Sequence, residues 1–389
     1  MGLLNACAEL LVKEHALRPI GPDVLFIGRQ LVPLSLDTLN RLLARYGLKN
    51  QAPDCAEYDN ETRGAAGHGF ITDRYFLKAL GVKTFHALDV TDYEGAEIIH
   101  DMGLPIPEKY YGKYDFVYNG SCLDNMFNPG VAMINISKLL KPKGRSVNIE
   151  SASSRNSPYI MFSPGWFYDY YVVNKYKRAH IYLAAINNND ELHYGPWDMY
   201  YVNVRADRNG PPPNPEKDIQ YALLTVAEKG EASTDEVQPV QYQYRTTPDL
   251  RDEYEKNEAV LMQESCSGLI HNHHVDPTIA PYLNYVGKFG VDLRPDGAPS
   301  MLQPEDPLIV RVIGLLDVSS KTAEFLSSLV RIARPIAGRI PPVRSFLDGV
   351  DEGANRMWNR LKAEKGLHRG AEGSGPSISI ITKTPPTLG

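Results

Sequence analysis

Between Phe85 and Ile149 the chain repeats one pattern: a short apolar run stops on a polar residue, and a segment of turn or helical character follows. The runs stop at Asp89, at Asp101 and at Asn119-Gly120, and a last one, Ser146 to Glu150, follows Lys141-Pro142-Lys143-Gly144. Short apolar strands separated by helical patterns build a parallel sheet with crossover helices. In open α/β sheets ligands lie outside the carboxyl ends of the strands, so the polar residues that close these runs are the first candidates for a site.

The rest of the N-terminal half agrees with that sheet. Leu3 to Leu17 has apolar residues at helical spacing and reads as an amphipathic first helix. Asp23 to Gly28 reads as a buried first strand, and Leu36 to Tyr46 as a helix capped by Ser35 or Asp37. Asn50 to Gly69 lacks periodicity and reads as a loop or a lid. Asp73 to Leu80 is helical and closed by Gly81, and Thr84 to Leu88 is the second strand. Further on, Arg178 to Ile186 and Ile219 to Ala227 read as a sixth strand and an antiparallel seventh, joined by an insertion.

Three stretches carry a resemblance. LDVTDYEGAEIIHDM (88–102), YNGSCLDNMFN (118–128) and ISKLLKPKGR (136–145) resemble the second to fifth strands of a class I S-adenosylmethionine-dependent methyltransferase, of the bacterial kind acting on glycans or small molecules. The resemblance covers roughly the first half of the chain. It implies a doubly wound, Rossmann-like sheet of seven strands with an antiparallel last strand. It also implies S-adenosyl-L-methionine as cofactor, and methyl transfer to an oxygen or nitrogen of a small molecule or sugar.

The same resemblance assigns the cofactor residues. Gly28, with Arg29 and Gln30, faces the amino-acid end; Asp89 and Val90 face the ribose; Asp101 and Met102 face the adenine; Asn119 and Gly120 lie beside the methyl group. A carboxylate at a strand end can accept from both ribose hydroxyls, and a thioether packs on a ring face. Each residue has a plainer reading too. Arg29 can tie its loop to a neighbouring acid, Asp89 can cap a helix, and Asp101 can form the turn before Gly103. The chain departs from the family in two places: Gly28 is the one glycine left in the first loop, and Asp124-Asn125 stands where a Glu-His pair is common. Asp124 is then either a general base or a helix cap. Asn125, Ser163, Trp166 and Tyr170 are the candidate acceptor wall.

Composition bounds the alternatives. A net charge of −6 argues against a duplex nucleic-acid partner, which needs a basic face. No apolar stretch reaches bilayer length, and the first residues lack the pattern of a signal peptide, so a cytoplasmic protein is expected. Cys7, Cys55, Cys122 and Cys266 are scattered, and His271, His273, His274 and Asp276 match no metal-site spacing, so no metal is expected. With 389 residues the chain divides into a methyltransferase-like domain, 1–230, a mixed then mainly helical extension, 231–365, and a disordered tail, 366–389. An apolar stripe flanked by Arg331, Arg334, Arg339 and Arg344 makes segment 318–345 a candidate for homodimer or peripheral membrane contact. Two rivals remain: a catalytically silent scaffold on the same fold, and a nicotinamide-dependent oxidoreductase, against which the missing G-x-G-x-x-G speaks.

Overall fold

The computed structural model describes residues 2–60, 67–92, 94–153, 158–209, 219–265 and 281–298. The chain divides into two compact units, Met1–Gln303 and Pro304–Gly389, and every element below belongs to the first. The boundary expected at 230 therefore falls inside that unit. The arginine-flanked stripe, segment 318–345, the 366–389 tail and the His271–Asp276 cluster lie outside the described residues.

In chain order the elements are α1 (Asn5–Leu17), β1 (Asp23–Ile27), α2 (Leu36–Arg45), α3 (Asp73–Ala79), β2 (Thr84–Asp89), β3 (Ile98–Ile99), β4 (Tyr114–Gly120), α4 (Pro129–Leu139), β5 (Leu140–Ser153), α5 (Pro164–Val173), β6 (Arg178–Ile186), α6 (Asn189–Tyr194), β7 (Trp197–Val202), β8 (Gln220–Glu228), α7 (Pro248–Ser265) and β9 (Leu283–Phe289). Local chemistry sets several of these ends. Ser35 and Thr72 accept from the backbone N–H of Thr38 and Tyr75 as N-caps of α2 and α3. Gly81, at φ +79°, closes α3 in the left-handed conformation that glycine adopts without steric cost.

All strands join one sheet in the order β3-β2-β1-β4-β5-β8-β6-β7-β9. The first five strands pair in parallel, and β8 runs antiparallel between β5 and β6. The expected seven strands thus number nine. Two antiparallel strands extend the far edge: β7 from the 194–213 insertion, and β9 from beyond residue 230. The extra pairs were hidden because β7 (WDMYYV) and β9 (LNYVGKF) are short and lack a clean alternation.

Alternation along the central strands feeds two cores. Val24, Phe26, Phe116 and Tyr118 pack with α1, α2 and α3, whereas Leu25, Ile27 and Val117 pack with α4, α5 and α7. A sheet covered on both faces has continuous apolar strands, as in the DVLFI run of β1. The amphipathic reading of α1 needs correction, because Asn5 to Val12 and Glu14 are all buried. Its polar residues have partners inside: Glu14 meets Arg145 of β5 at 2.6 Å, and Asn5 donates to the Leu293 carbonyl at 2.9 Å. A helix whose first turns are enclosed must satisfy its polar groups internally, which the sequence pattern alone cannot reveal.

Candidate functional site

The register puts the carboxyl ends of the parallel strands level with one another. Ile27 lies beside both Leu88 and Asn119, and Asp89 beside Ile99. Between β1 and β4 the strand order reverses direction, which is where an open α/β sheet leaves a crevice. A crevice of about 380 Å³ opens there, within the range of small-molecule sites. It is lined by Gly28, Arg29, Gln30, Asp89, Val90, Asp101, Met102, Gly120 and Asn125 from the sequence reading, together with His100, Ser121, Cys122 and Met126.

On one side stand the two acids. Asp89 closes β2 and takes a hydrogen bond from the Val90 N–H at 2.6 Å. Asp101, just beyond β3, takes one from the Gly103 N–H at 2.8 Å, so it makes the turn as well as facing the crevice. Met102 is buried beside it, its carbonyl held by Asn135 at 3.0 Å.

On the other side the backbone comes close. Gly28, at φ +74°, leaves β1 with its N–H on the Leu88 carbonyl at 2.7 Å. A Cβ on Gly120 would collide with Gln30 Oε1, so any side chain here would have to push the Gln30 amide aside. The Gln30 Nε2 donates to the carbonyls of Ile27 and Gly28, both at 3.0 Å, while its Oε1 is buried without a partner. A buried acceptor without a donor costs about 1–3 kcal/mol unless a ligand supplies one.

Three of the sequence-assigned residues have their partners inside the protein. Arg29 ties its loop to an acid: its Nε and Nη2 form a fork on Asp73 at 2.9 and 2.8 Å, and its Nη1 donates to the Glu94 carbonyl. Asn119 lies beneath the crevice, bonded to Asn148, Glu150 and the Cys122 N–H. Asp124 is buried: Oδ2 accepts from Ser121 Oγ at 2.6 Å and from the Ser151 N–H at 3.1 Å, and Oδ1 accepts from Asn125 Nδ2 at 2.6 Å. With both oxygens engaged below the surface it braces Ser121 and Asn125, which do line the crevice, and it does not cap α4.

Glu150, the last residue of the sequence-predicted fifth strand, completes that brace. Its Oε1 accepts from Asn119 Nδ2 at 2.6 Å and from the Leu123 N–H at 3.2 Å, and its Oε2 from the Asp124 N–H at 2.9 Å. The sequence signal was an acid closing an otherwise buried strand. Burial, and secondly the Asp124 carboxylate, hold Glu150 well above the ordinary value of 4.5. Burial, with Glu150, Asp89 and Asp124 around it, also pushes the Cys122 thiol up to about 12, so it is no nucleophile.

A pH dependence follows from Glu150. The folded chain holds this proton more tightly than the unfolded one, so the stabilisation is complete below about 4.5 and is lost as pH rises towards the raised value. Thermal melts from pH 4 upward should therefore decline, and Glu150→Gln should flatten the decline. Glu14, also raised by burial, retains part of the slope. An unchanged slope in the variant removes Glu150 as its source.

The acceptor wall divides. Asn125 lines the crevice, while Ser163, Trp166 and Tyr170 line a second cavity of about 360 Å³ beside α4 and α5. The described residues of the expected lid do not reach the crevice; Glu57 and Asp59 are tied to Thr72 and Phe70. Among the described residues no helix is long and apolar enough to cross a membrane, and no group of three metal-ligating side chains forms.

No family model and no curated protein matches the chain. Among solved structures it is similar to the CMeT domain of the citrinin polyketide synthase, at 12% identity and a TM-score of 0.25 over 40% of this chain and 42% of that one. It thus spans about two fifths of that relative. The O-methyltransferase of a trans-AT PKS multienzyme of Brevibacillus brevis, in complex with S-adenosyl-L-homocysteine, aligns at 12% identity and a TM-score of 0.29, over 70% of this chain and 86% of that one. A protein assigned as a Zn-dependent alcohol dehydrogenase of Rhodobacter sphaeroides aligns at 13% and 0.22, over 39% and 52% of the two chains. Likeness at these scores carries no weight for function.

Proposed function

We propose that the chain is an S-adenosyl-L-methionine-dependent methyltransferase that acts on an oxygen or nitrogen of a small molecule or sugar. The observation that carries this reading is the meeting of two strand-end carboxylates, Asp89 and Asp101, with two close backbone approaches, Gly28 and Gly120, around one crevice. That set suits an adenosine with a charged amino-acid tail. Asp89 accepts from the ribose hydroxyls, Asp101 from the exocyclic amine, and Met102 covers the ring. The orphaned Gln30 Oε1 suits the donor that an ammonium group would bring.

The sulfonium group, when bound, supplies an already activated methyl. The chain's own residues bind, orient and exclude water. Ser121, held at φ +66° by its bond to Asp124, and Asn125 shape the crevice wall nearest β4. With Asp124 turned inward, positioning rather than proton abstraction is what this wall contributes, and alignment alone can supply a large part of a methyl-transfer rate.

A second reading, a scaffold that keeps the fold but does not take the cofactor, is favoured by one observation: the Gln30 amide already occupies the Ile27 and Gly28 carbonyls. Native mass spectrometry of the purified chain, followed by calorimetric titration with S-adenosylhomocysteine, separates the two. Co-purified cofactor or a saturable heat supports the enzyme. Absence of both sinks it and leaves the scaffold.

A further inference from the structure

We infer that the cavity between α4 and α5 is the acceptor subsite, and that it admits a ring-bearing molecule that is neutral or positively charged while rejecting anions; this rests on the methyltransferase reading above. Its position is the first argument. Asn125 and Met126 line the crevice and Asn128 lines the cavity. Two peptide units span at most about 7 Å, so the two spaces share one short wall. Both helices follow parallel strands, so their first turns stand at the end of the sheet where the crevice opens.

The lining is the second argument. Trp166 is packed edge-on against Phe162 and Phe167, with ring centroids 4.7 and 4.8 Å away, which fixes its ring as a wall. Val131, Ile134 and Pro239 add apolar surface, and Gln238 and Gln241 add amide edges. This is the mixture that holds a ring with a few polar substituents.

Charge is the third. Asp169 is the one formally charged side chain lining the cavity among the described residues. It is fixed by the Tyr254 O–H at 2.6 Å. Helix starts normally favour anions through their N–H groups. Here α4 and α5 both open on proline, which removes one N–H from each first turn, and the Trp166 N–H is turned back onto the Ser163 carbonyl at 3.1 Å. Among the described lining residues an anion would meet the Asp169 carboxylate and no lysine, arginine or histidine side chain.

Tyramine and 3-(4-hydroxyphenyl)propionate share a phenol ring and differ in the sign of the tail. Each is titrated calorimetrically into the full chain saturated with S-adenosylhomocysteine, in wild type, Trp166→Ala and Asp169→Asn. Tyramine should bind at least about 10-fold tighter than the propionate, corresponding to about 1.4 kcal/mol. Trp166→Ala should weaken it by a similar factor. Asp169→Asn should erase the preference for the cation while keeping the acceptor for Tyr254. Affinity for S-adenosylhomocysteine, unchanged in both variants, reports that the fold is intact. Equal or tighter propionate binding, no tyramine heat, or tyramine binding indifferent to both variants overturns the acceptor assignment alone. Loss of the S-adenosylhomocysteine heat in wild type overturns the methyltransferase reading beneath it.

Discussion

Replacing Asp73 with alanine should lower the unfolding free energy by about 3–5 kcal/mol, because it strands a buried guanidinium. Asp73 is fully buried and the Arg29 side chain is 2% exposed. The carboxylate collects Arg29 Nε and Nη2, the Gln30 N–H at 2.9 Å and the Arg74 N–H at 2.8 Å. It therefore ties the loop after β1 to the first turn of α3. Without it, Gly28 and Gln30 lose their placement and S-adenosylhomocysteine affinity should fall as well. Urea denaturation gives the first number and calorimetry the second. The double variant Arg29→Met, Asp73→Leu should recover most of the stability, since removing both charges avoids the uncompensated one. A loss under about 1 kcal/mol in Asp73→Ala would show that water reaches the guanidinium and that the pair is not enclosed.

Asp89→Ala should weaken S-adenosylhomocysteine binding about 100-fold, or about 2.7 kcal/mol, the worth of one to two hydrogen bonds to a charged acceptor. The fold should be indifferent, because Asp89 is only partly buried and its side chain accepts from the adjacent Val90 N–H. Asp101→Ala should cost less, about 5-fold, since Asp101 Oδ1 is already engaged by the Gly103 N–H. Equal affinity in wild type and Asp89→Ala would mean that no ribose lies against β2.

The central sheet was legible in the sequence because a buried parallel strand leaves an apolar run with a polar stop, and DVLFI, TFHALD and YDFVYNG each do so. The strand-end residues were legible for the same reason: chain order alone fixes which end of a parallel strand faces a ligand. Roles within the site were less so. Arg29 and Asp124 each had two readings that differ only in which partner is near, and the partner of Arg29 stands 44 residues away. Glu150 carried a signal, an acid at the end of an apolar strand, whose meaning depended on the Leu123 and Asp124 N–H groups it meets across the sheet.

By itself the sequence determined the order of strands and helices through β6, the crevice acids and the glycine approaches, all of which follow from local periodicity and from residue type at strand ends. Only the tertiary structure decided that β7 and β9 widen the sheet, that the first turns of α1 are enclosed, that Asp124 and Asn119 lie under the site rather than in it, and that Trp166 and Tyr170 wall a cavity of their own. Those outcomes depend on which distant groups come into contact, and a hydrogen bond or a packed face leaves its mark on the sequence at each partner separately, never on the pairing.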